Sequence, residues 1–340
     1  FDDIDFQKRD FIPDSGWPID PIELKKYYKE AQKLLELGIY KYSSPLNEET
    51  EIFLESGDFE LSYLNQNPYR FGPEWRDFFE KTENCYVLEK ANVTSVMLGV
   101  DGRSISELEA RSIGGQTAKI FCDYVVLACG GVENARILLN SPLSAGLPCL
   151  GHYYSFHPRV VGAEFHLAKP LTEDNVFQWH QADGITKKQF IKYNTNYQIT
   201  KEQPNYAMNL LNRYNKKSPA FLAALRLRNR LRGDSYVGNV RDDLLTVVSN
   251  LGGLISEYRS HKSLEIIGSL DLMTYIDPTP TFSNKIILND DRDEMGVKRC
   301  TALWKPSDDD INYTYEFNIK FAEMVGRGGL GRVKINPLLK

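Results

Sequence analysis

Asp123-Tyr-Val-Val-Leu-Ala-Cys-Gly-Gly-Val-Glu-Asn-Ala-Arg-Ile-Leu-Leu-Asn-Ser141 is the stretch whose reading decides the fold. Asp123–Gly131 is a continuous apolar run closed by glycines, and a helix is predicted over roughly Glu133–Asn140. An apolar run without period-two alternation predicts a strand buried on both faces. Glycines at a strand-to-helix turn let backbone approach a ligand closely. The stretch therefore predicts a parallel α/β sheet presenting a ligand edge.

Upstream, short strands are predicted over Tyr86–Glu89, Val93–Leu98, Ser106–Ile113 and Thr117–Phe121, separated by the turn signals Asp101-Gly102 and Gly114-Gly115. They read as an antiparallel meander running directly into the apolar stretch. Nearer the N-terminus, Asp20 as cap, Pro21 in the first turn and the stripe Leu24, Tyr27, Tyr28, Ala31, Leu34 and Leu35 predict a helix from about Pro21 to Leu37, ended by Gly38. A polar connection follows, then a short helix near Pro73–Lys81.

Beyond Pro158 the pattern changes to strands of alternating character at Val160–Leu167, Gln189–Tyr193, Tyr206–Leu211, Leu244–Ser249, Leu264–Tyr275, Lys285–Leu288 and Lys298–Trp304. These predict a second domain on a largely antiparallel sheet, interrupted by two helices. Ser218-Pro219 starts one reaching about Leu231. Ser307 with Asp308, Asp309 and Asp310 starts the other, with Ile311, Tyr315, Ile319, Ala322 and Val325 as its apolar stripe before the glycines at 326–331. The domains accordingly divide as 1–157 and 158–340.

Composition narrows the classes of function. A chain of 340 residues, 42% hydrophobic and 26% charged, fits two globular domains. Its net charge of -5 offers no basic field to nucleic acid or an anionic membrane. No apolar run approaches the roughly 18 residues of a membrane helix. The cysteines (Cys85, Cys122, Cys129, Cys149 and Cys300) are odd in number and lack a Cys-x-x-Cys pair, against both a zinc site and a disulfide framework. Cys122 and Cys129 read as buried thiols in an apolar run. The expected location is cytoplasmic, or periplasmic were a signal segment to precede the chain.

Other motifs read blandly. Gly326-Arg-Gly-Gly-Leu-Gly331 matches G-x-G-x-x-G but follows a helix, so it reads as a helix stop and turn. Arg226, Arg228, Arg230 and Arg232 do not share one helix face and read as a solvated cluster compensating the helix dipole, with docking to an acidic or phosphorylated partner as the alternative. The histidines show no ligand spacing; His152 and His157, near Pro158, read as polar anchors between domains. Trp179, Tyr206, Tyr214 and Tyr236 could stack on a sugar, or pack a core.

The wording of Asp123–Ser141, followed by Gly151-His-Tyr-Tyr-Ser-Phe-His-Pro158, resembles the flavin-domain strand and domain crossover of the glucose–methanol–choline oxidoreductases, particularly the bacterial sugar and alcohol dehydrogenase branch. Asp5–Ala31, with its Gly16-Trp-Pro entry, resembles the family's segment at the first long helix. Ala91–Val96 resembles a flavin-domain strand, Ser283–Trp304 a substrate-domain strand pair, and Gly328–Val333 the turn after the long helix. The order of these pieces along the chain is specific.

The resemblance implies a partial FAD-binding, Rossmann-like domain of α/β type carrying the meander, joined to an α+β substrate domain. FAD is the implied cofactor. Val93 would meet the adenine through its backbone, Ala128, Cys129 and Gly130 would line the adenosine side, and Asn134 would lie near the cofactor. His157 matches the crossover histidine, with a structural role. The family's N-terminal G-x-G-x-x-G and its proton-accepting histidine near the C-terminus have no counterpart, so no catalytic residue is assigned. The chain then reads as the central portion of a longer enzyme whose phosphate loop and base come from a further segment or subunit.

The implied reaction is oxidation of a CH–OH group on a small sugar or alcohol. A neutral histidine accepts the hydroxyl proton, hydride passes to flavin N5, and the sheet domain roofs the isoalloxazine and positions the substrate. Two other readings stay open. One is a split or degenerate member that binds a ligand or partner without turnover. The other is an unrelated α+β binding protein, which would lack a parallel sheet around Val125–Ala128.

Overall fold

The computed structural model describes residues 2–42, 57–67, 69–172, 175, 177–213, 219–231, 238–260 and 266–339. The described helices are α1 (Asp3–Phe6), α2 (Pro21–Leu34), α3 (Phe71–Lys81), α4 (Gly131–Leu139), α5 (Thr195–Thr200), α6 (Pro219–Leu231), α7 (Val240–Ser249), α8 (Leu251–Ser260) and α9 (Asp308–Arg327). The described strands are β1 (Phe59–Gln66), β2 (Asn92–Leu98), β3 (Ile105–Arg111), β4 (Thr117–Ile120), β5 (Arg159–Thr172), β6 (His180–Ala182), β7 (Ile185–Tyr193), β8 (Ala207–Asn212), β9 (Ile266–Tyr275), β10 (Lys285–Arg292), β11 (Lys298–Leu303) and β12 (Gly331–Ile335).

Two compact units emerge, each drawn from three segments: 1–28, 68–158 and 277–311 in the first, 29–67, 159–276 and 312–340 in the second. A single boundary at 157/158 captures one of the five crossings this division makes. The hairpin β10–β11 belongs to the first unit because its backbone receives the side chains of α4: Arg136 Nε and Asn140 Nδ2 donate to the Lys298 carbonyl at 2.9 and 3.2 Å.

In the first unit β2, β3 and β4 form the expected antiparallel meander. Val96, Leu108 and Ile137 make a small core beneath it, with Val93, Cys122 and Val125 packed alongside. The apolar stretch itself departs from expectation. Residues 123–130 have no regular secondary structure and enter no ladder among the described residues, and Tyr124 and Val126 are 92% and 87% exposed. Tyr86–Glu89 likewise forms no strand, leaving Tyr86, Val87 and Leu88 exposed. An extended segment becomes a strand only when a neighbour takes up its N–H and C=O groups, and no described strand pairs with either. Every described ladder is antiparallel. The fold is therefore mixed α/β on antiparallel sheets.

The second unit is built on a seven-stranded sheet of order β1-β7-β8-β9-β5-β12, with β6 added to β7. Ile191, Tyr193, Met208, Leu210, Leu270, Leu272 and Phe165 project from one face and pack against Phe317, Phe321 and Val325 of α9. Tyr193 and Phe59 meet Phe317 edge-on at centroid distances of 4.8 and 6.0 Å. Each large apolar side chain so buried contributes about 1.5–3 kcal/mol. Because the side-chain period of a strand is two, this fixes the register: a one-residue slip would turn the core face outward.

Three expected elements are corrected. The buried stripe of α9 runs through Thr314, Phe317, Asn318, Phe321 and Val325, while Ile311 is exposed. The stripe is rotated to include the polar Asn318, whose buried Nδ2 donates to Thr274 Oγ1 at 3.1 Å and to the Thr314 carbonyl at 2.8 Å. Leu244–Ser249 is helix rather than strand: Asn239 caps α7 by accepting from the Arg241 N–H at 3.0 Å, and Asp242 and Asp243 occupy its first turn. In α2, Asp20 caps as expected, accepting from the Ile22 N–H at 2.8 Å. Its buried residue is however Gln32, which donates to the Leu37 and Gly38 carbonyls and accepts from Tyr42 at 2.7 Å, while Tyr27 and Leu34 stay exposed. No described helix is long and apolar enough to cross a membrane.

Candidate functional site

Two surfaces are candidates for a site, one in each unit. In the first, the chain enters α4 at Gly130, whose φ of +87° is a left-handed conformation that suits glycine. The turn is locked by Asn134. Its Oδ1 accepts from the Cys129 N–H at 2.9 Å and its Nδ2 donates to the Leu127 carbonyl at 3.0 Å. Ala128, Cys129 and Gly130 are exposed, and a Cβ placed on Gly130 or Gly131 would meet nothing within 4 Å. The first N–H groups of α4 lie at the positive end of the helix dipole.

Of the sequence-expected residues, Ala128, Cys129, Gly130 and Asn134 make up this turn. Val93 lies in β2 opposite Ala110, beside a register shift that leaves Thr94 as an extra residue, and its side chain packs on the same small core as Val125. Cys129 is exposed rather than buried, because the apolar run around it has no neighbouring strand among the described residues. Asn134 acts on the turn itself, so it positions Cys129 and Gly130. Below the turn, Ser141 ties β2 to α4, accepting from the Val96 N–H at 2.8 Å and donating to the Ile137 carbonyl at 2.6 Å. Arg136 bolts α4 to the hairpin through Asp293, with Glu133 on its other side at 2.8 Å. Among the described residues, nothing lies within 4 Å of where a side chain at Gly130 or Gly131 would stand.

The second surface is the sheet face turned away from α9. The core takes Gln189, Ile191 and Tyr193 of β7, so Lys188, Phe190 and Lys192 lie on the opposite face. The register of β8, β9 and β5 adds Asn209, Tyr275 and Arg159 to that face. Phe190 meets Tyr275 edge-on at 5.2 Å. Arg159 lies over the Tyr275 ring at 5.3 Å, and Lys188 over the Trp179 ring at 5.4 Å. Burial, and then the charge of Arg159, hold the Lys188 ammonium below its ordinary pKa. Further along the same face Arg213 binds Glu164 at 2.5 Å and faces Asp271 at 3.7 Å, while His166 stands 3.6 Å from Glu164. The Arg213 hydrogen bond holds the Glu164 carboxyl low; burial pushes Asp271 up.

Of the four aromatic residues named from sequence, Trp179 is on this face, 45% exposed, and Tyr206 is core. Tyr214 and Tyr236 lie outside the described residues, as do His261 and Arg232. Lys188, Phe190, Arg159 and Tyr275 were missed; the alternation Lys188-x-Phe190-x-Lys192 was their available signal. His152 anchors within the first unit, where it stacks on Phe282 at 3.8 Å and its Nδ1 meets the Phe282 carbonyl at 2.8 Å. Arg226 is not part of a free cluster: it forms a two-pronged pair with the buried Asp243.

The chain matches no family model, and no curated protein matches it.

Proposed function

We propose that the chain forms part of an FAD-dependent oxidoreductase of the glucose–methanol–choline kind, oxidising a CH–OH group of a sugar or alcohol. The observation that carries this reading is the Asn134-locked turn at Gly130, an exposed glycine corner at a helix N-terminus. Val93, Ala128, Cys129 and Gly130 would hold the adenosine side of FAD through backbone groups, and Asn134 would keep the turn in shape for it. The bound flavin would supply a hydride acceptor. The sheet face of the second unit turned away from α9 would receive the substrate, with Trp179 and Tyr275 offering aromatic surfaces to a sugar ring and the exposed Arg159 offering polar groups. The catalytic base is not assigned to a residue of this chain.

The test is flavin binding. FAD added to the purified chain should lose fluorescence on binding and remain with the protein through gel filtration. Protein that stays colourless and leaves FAD fluorescence unchanged would remove the reading.

A second reading has its own support. With every described ladder antiparallel and the Asp123–Ala128 segment unpaired, the chain also suits an α+β protein that binds a ligand without redox chemistry. That reading expects ligand binding at the sheet face and none of FAD.

A further inference from the structure

The charges on the sheet face are unevenly matched. Lys192 is paired with Glu60 at 2.8 Å, and Arg213 with Glu164. Lys188 is only 7% exposed, yet no carboxylate or other acceptor receives its ammonium among the described residues. Its neighbours are an indole ring and a second cation, Arg159, which itself makes no ion pair among the described residues. Buried charges are ordinarily paired, because removing an ion from water is costly unless a counter-charge restores the lost solvation. Lys188 over the Trp179 ring and Arg159 over the Tyr275 ring, which itself meets Phe190, with no carboxylate paired to either among the described residues, form an arrangement that an anion would complete. The rings add faces suited to the C–H side of a hydroxylated molecule.

We propose that this face recognises a small hydroxylated molecule bearing an anionic group, a carboxylate or a phosphate, with Lys188 and Arg159 receiving the anion and Trp179 and Tyr275 flanking the carbon skeleton. The proposal rests on reading this face as the substrate's, and it narrows that substrate from sugars and alcohols in general to sugar acids or sugar phosphates. An arginine can grip either anion in two-pronged fashion, whereas a lysine acts as a point charge, so the pair does not by itself choose between them.

The experiment is calorimetric titration of the full chain with glucose, gluconate, glucose 6-phosphate and inorganic phosphate, at low and high salt. The expected result is that gluconate or glucose 6-phosphate binds at least about tenfold more tightly than glucose, with the advantage shrinking in high salt. The tighter of the two identifies the anion. Lys188→Met or Arg159→Gln should remove most of the preference. Arg159 is exposed, so its variant carries the test should Lys188→Met fail to fold. Equal binding of glucose and its anionic counterparts, binding of none of them, or a preference that survives both substitutions would overturn the proposal. FAD binding is measured on the same samples. Retained flavin binding without anion preference removes this assignment alone; anion preference without flavin binding removes the flavoenzyme reading and leaves the anion site standing.

Discussion

The amide of Asn318 occupies the space that a side chain at residue 162 would need: a Cβ on Gly162 would lie 2.4 Å from Asn318 Nδ2. Helix α9 approaches strand β5 closely at this point, and the absence of a side chain permits the Asn318–Thr274 hydrogen bond beneath it.

Gly162→Ala should therefore destabilise the second unit by about 1–3 kcal/mol, the usual range for overpacking a filled interior. Denaturant unfolding measures it. A loss within error would show that α9 does not lie this close to β5.

A second test concerns the bolt between α4 and the β10–β11 hairpin. Burial raises the Asp293 carboxyl, but hydrogen bonds from Arg136 and from the Val297 and Met295 N–H groups outweigh it and leave the pKa below its ordinary value. A carboxyl depressed in the fold contributes stability above its unfolded value, near 3.9, and that contribution fades as pH falls through the folded value. Asp293→Ala should cost about 2 kcal/mol at neutral pH, leaving Arg136 with Glu133 as its one remaining carboxylate among the described residues, and the difference from wild type should close in strong acid. Melts across pH would report both.

Lys188 predicts the opposite sign. Its folded pKa is lowered, so charging it opposes folding, and stability gains as pH rises from the folded value toward the unfolded one near 10.4. Without ligand, Lys188→Met should be at least as stable as wild type at neutral pH, by roughly 1 kcal/mol, with the gap narrowing in alkali. A marked destabilisation would mean that the ammonium has a partner.

Hydrogen exchange tests the unpaired segments. The amides of Tyr86, Val87 and Leu88, and of Tyr124 to Ala128, donate to no acceptor among the described residues. They should exchange far faster than those of β3, which has neighbours on both sides. Strong protection at Tyr124 or Val126 would show a strand pairing with this stretch.

These cases also show how far the sequence could be read. The meander between Asn92 and Ile120 was legible because Asp101-Gly102 and Gly114-Gly115 mark its corners and each strand pairs with the next. Helix α9 was legible in extent from its acidic first turn, but not in orientation, because buried Thr314 and Asn318 look like surface residues until Thr274 and Gly162 are placed against them. Leu244–Ser249 misled because a run of Leu, Thr and Val satisfies strand and helix alike, and the Asn239 cap lies outside it. The glycine turn at 130 was found, but nothing local says whether Asp123–Ala128 has a neighbour, since an apolar run records only that burial would be favourable. The Lys188–Trp179–Arg159–Tyr275 surface was invisible for a related reason: it is assembled by the register of β7, β8, β9 and β5, and register is a non-local property.

The central claim is that the turn held by Asn134 receives FAD, and the direct measurement is titration of the full chain with FAD, followed by flavin fluorescence, for wild type and Asn134→Leu. Saturable quenching with wild type, and at least about tenfold weaker binding once the two hydrogen bonds to Cys129 and Leu127 are lost, is the predicted result. No quenching by wild type at any FAD concentration, or identical binding by the two proteins, would contradict it.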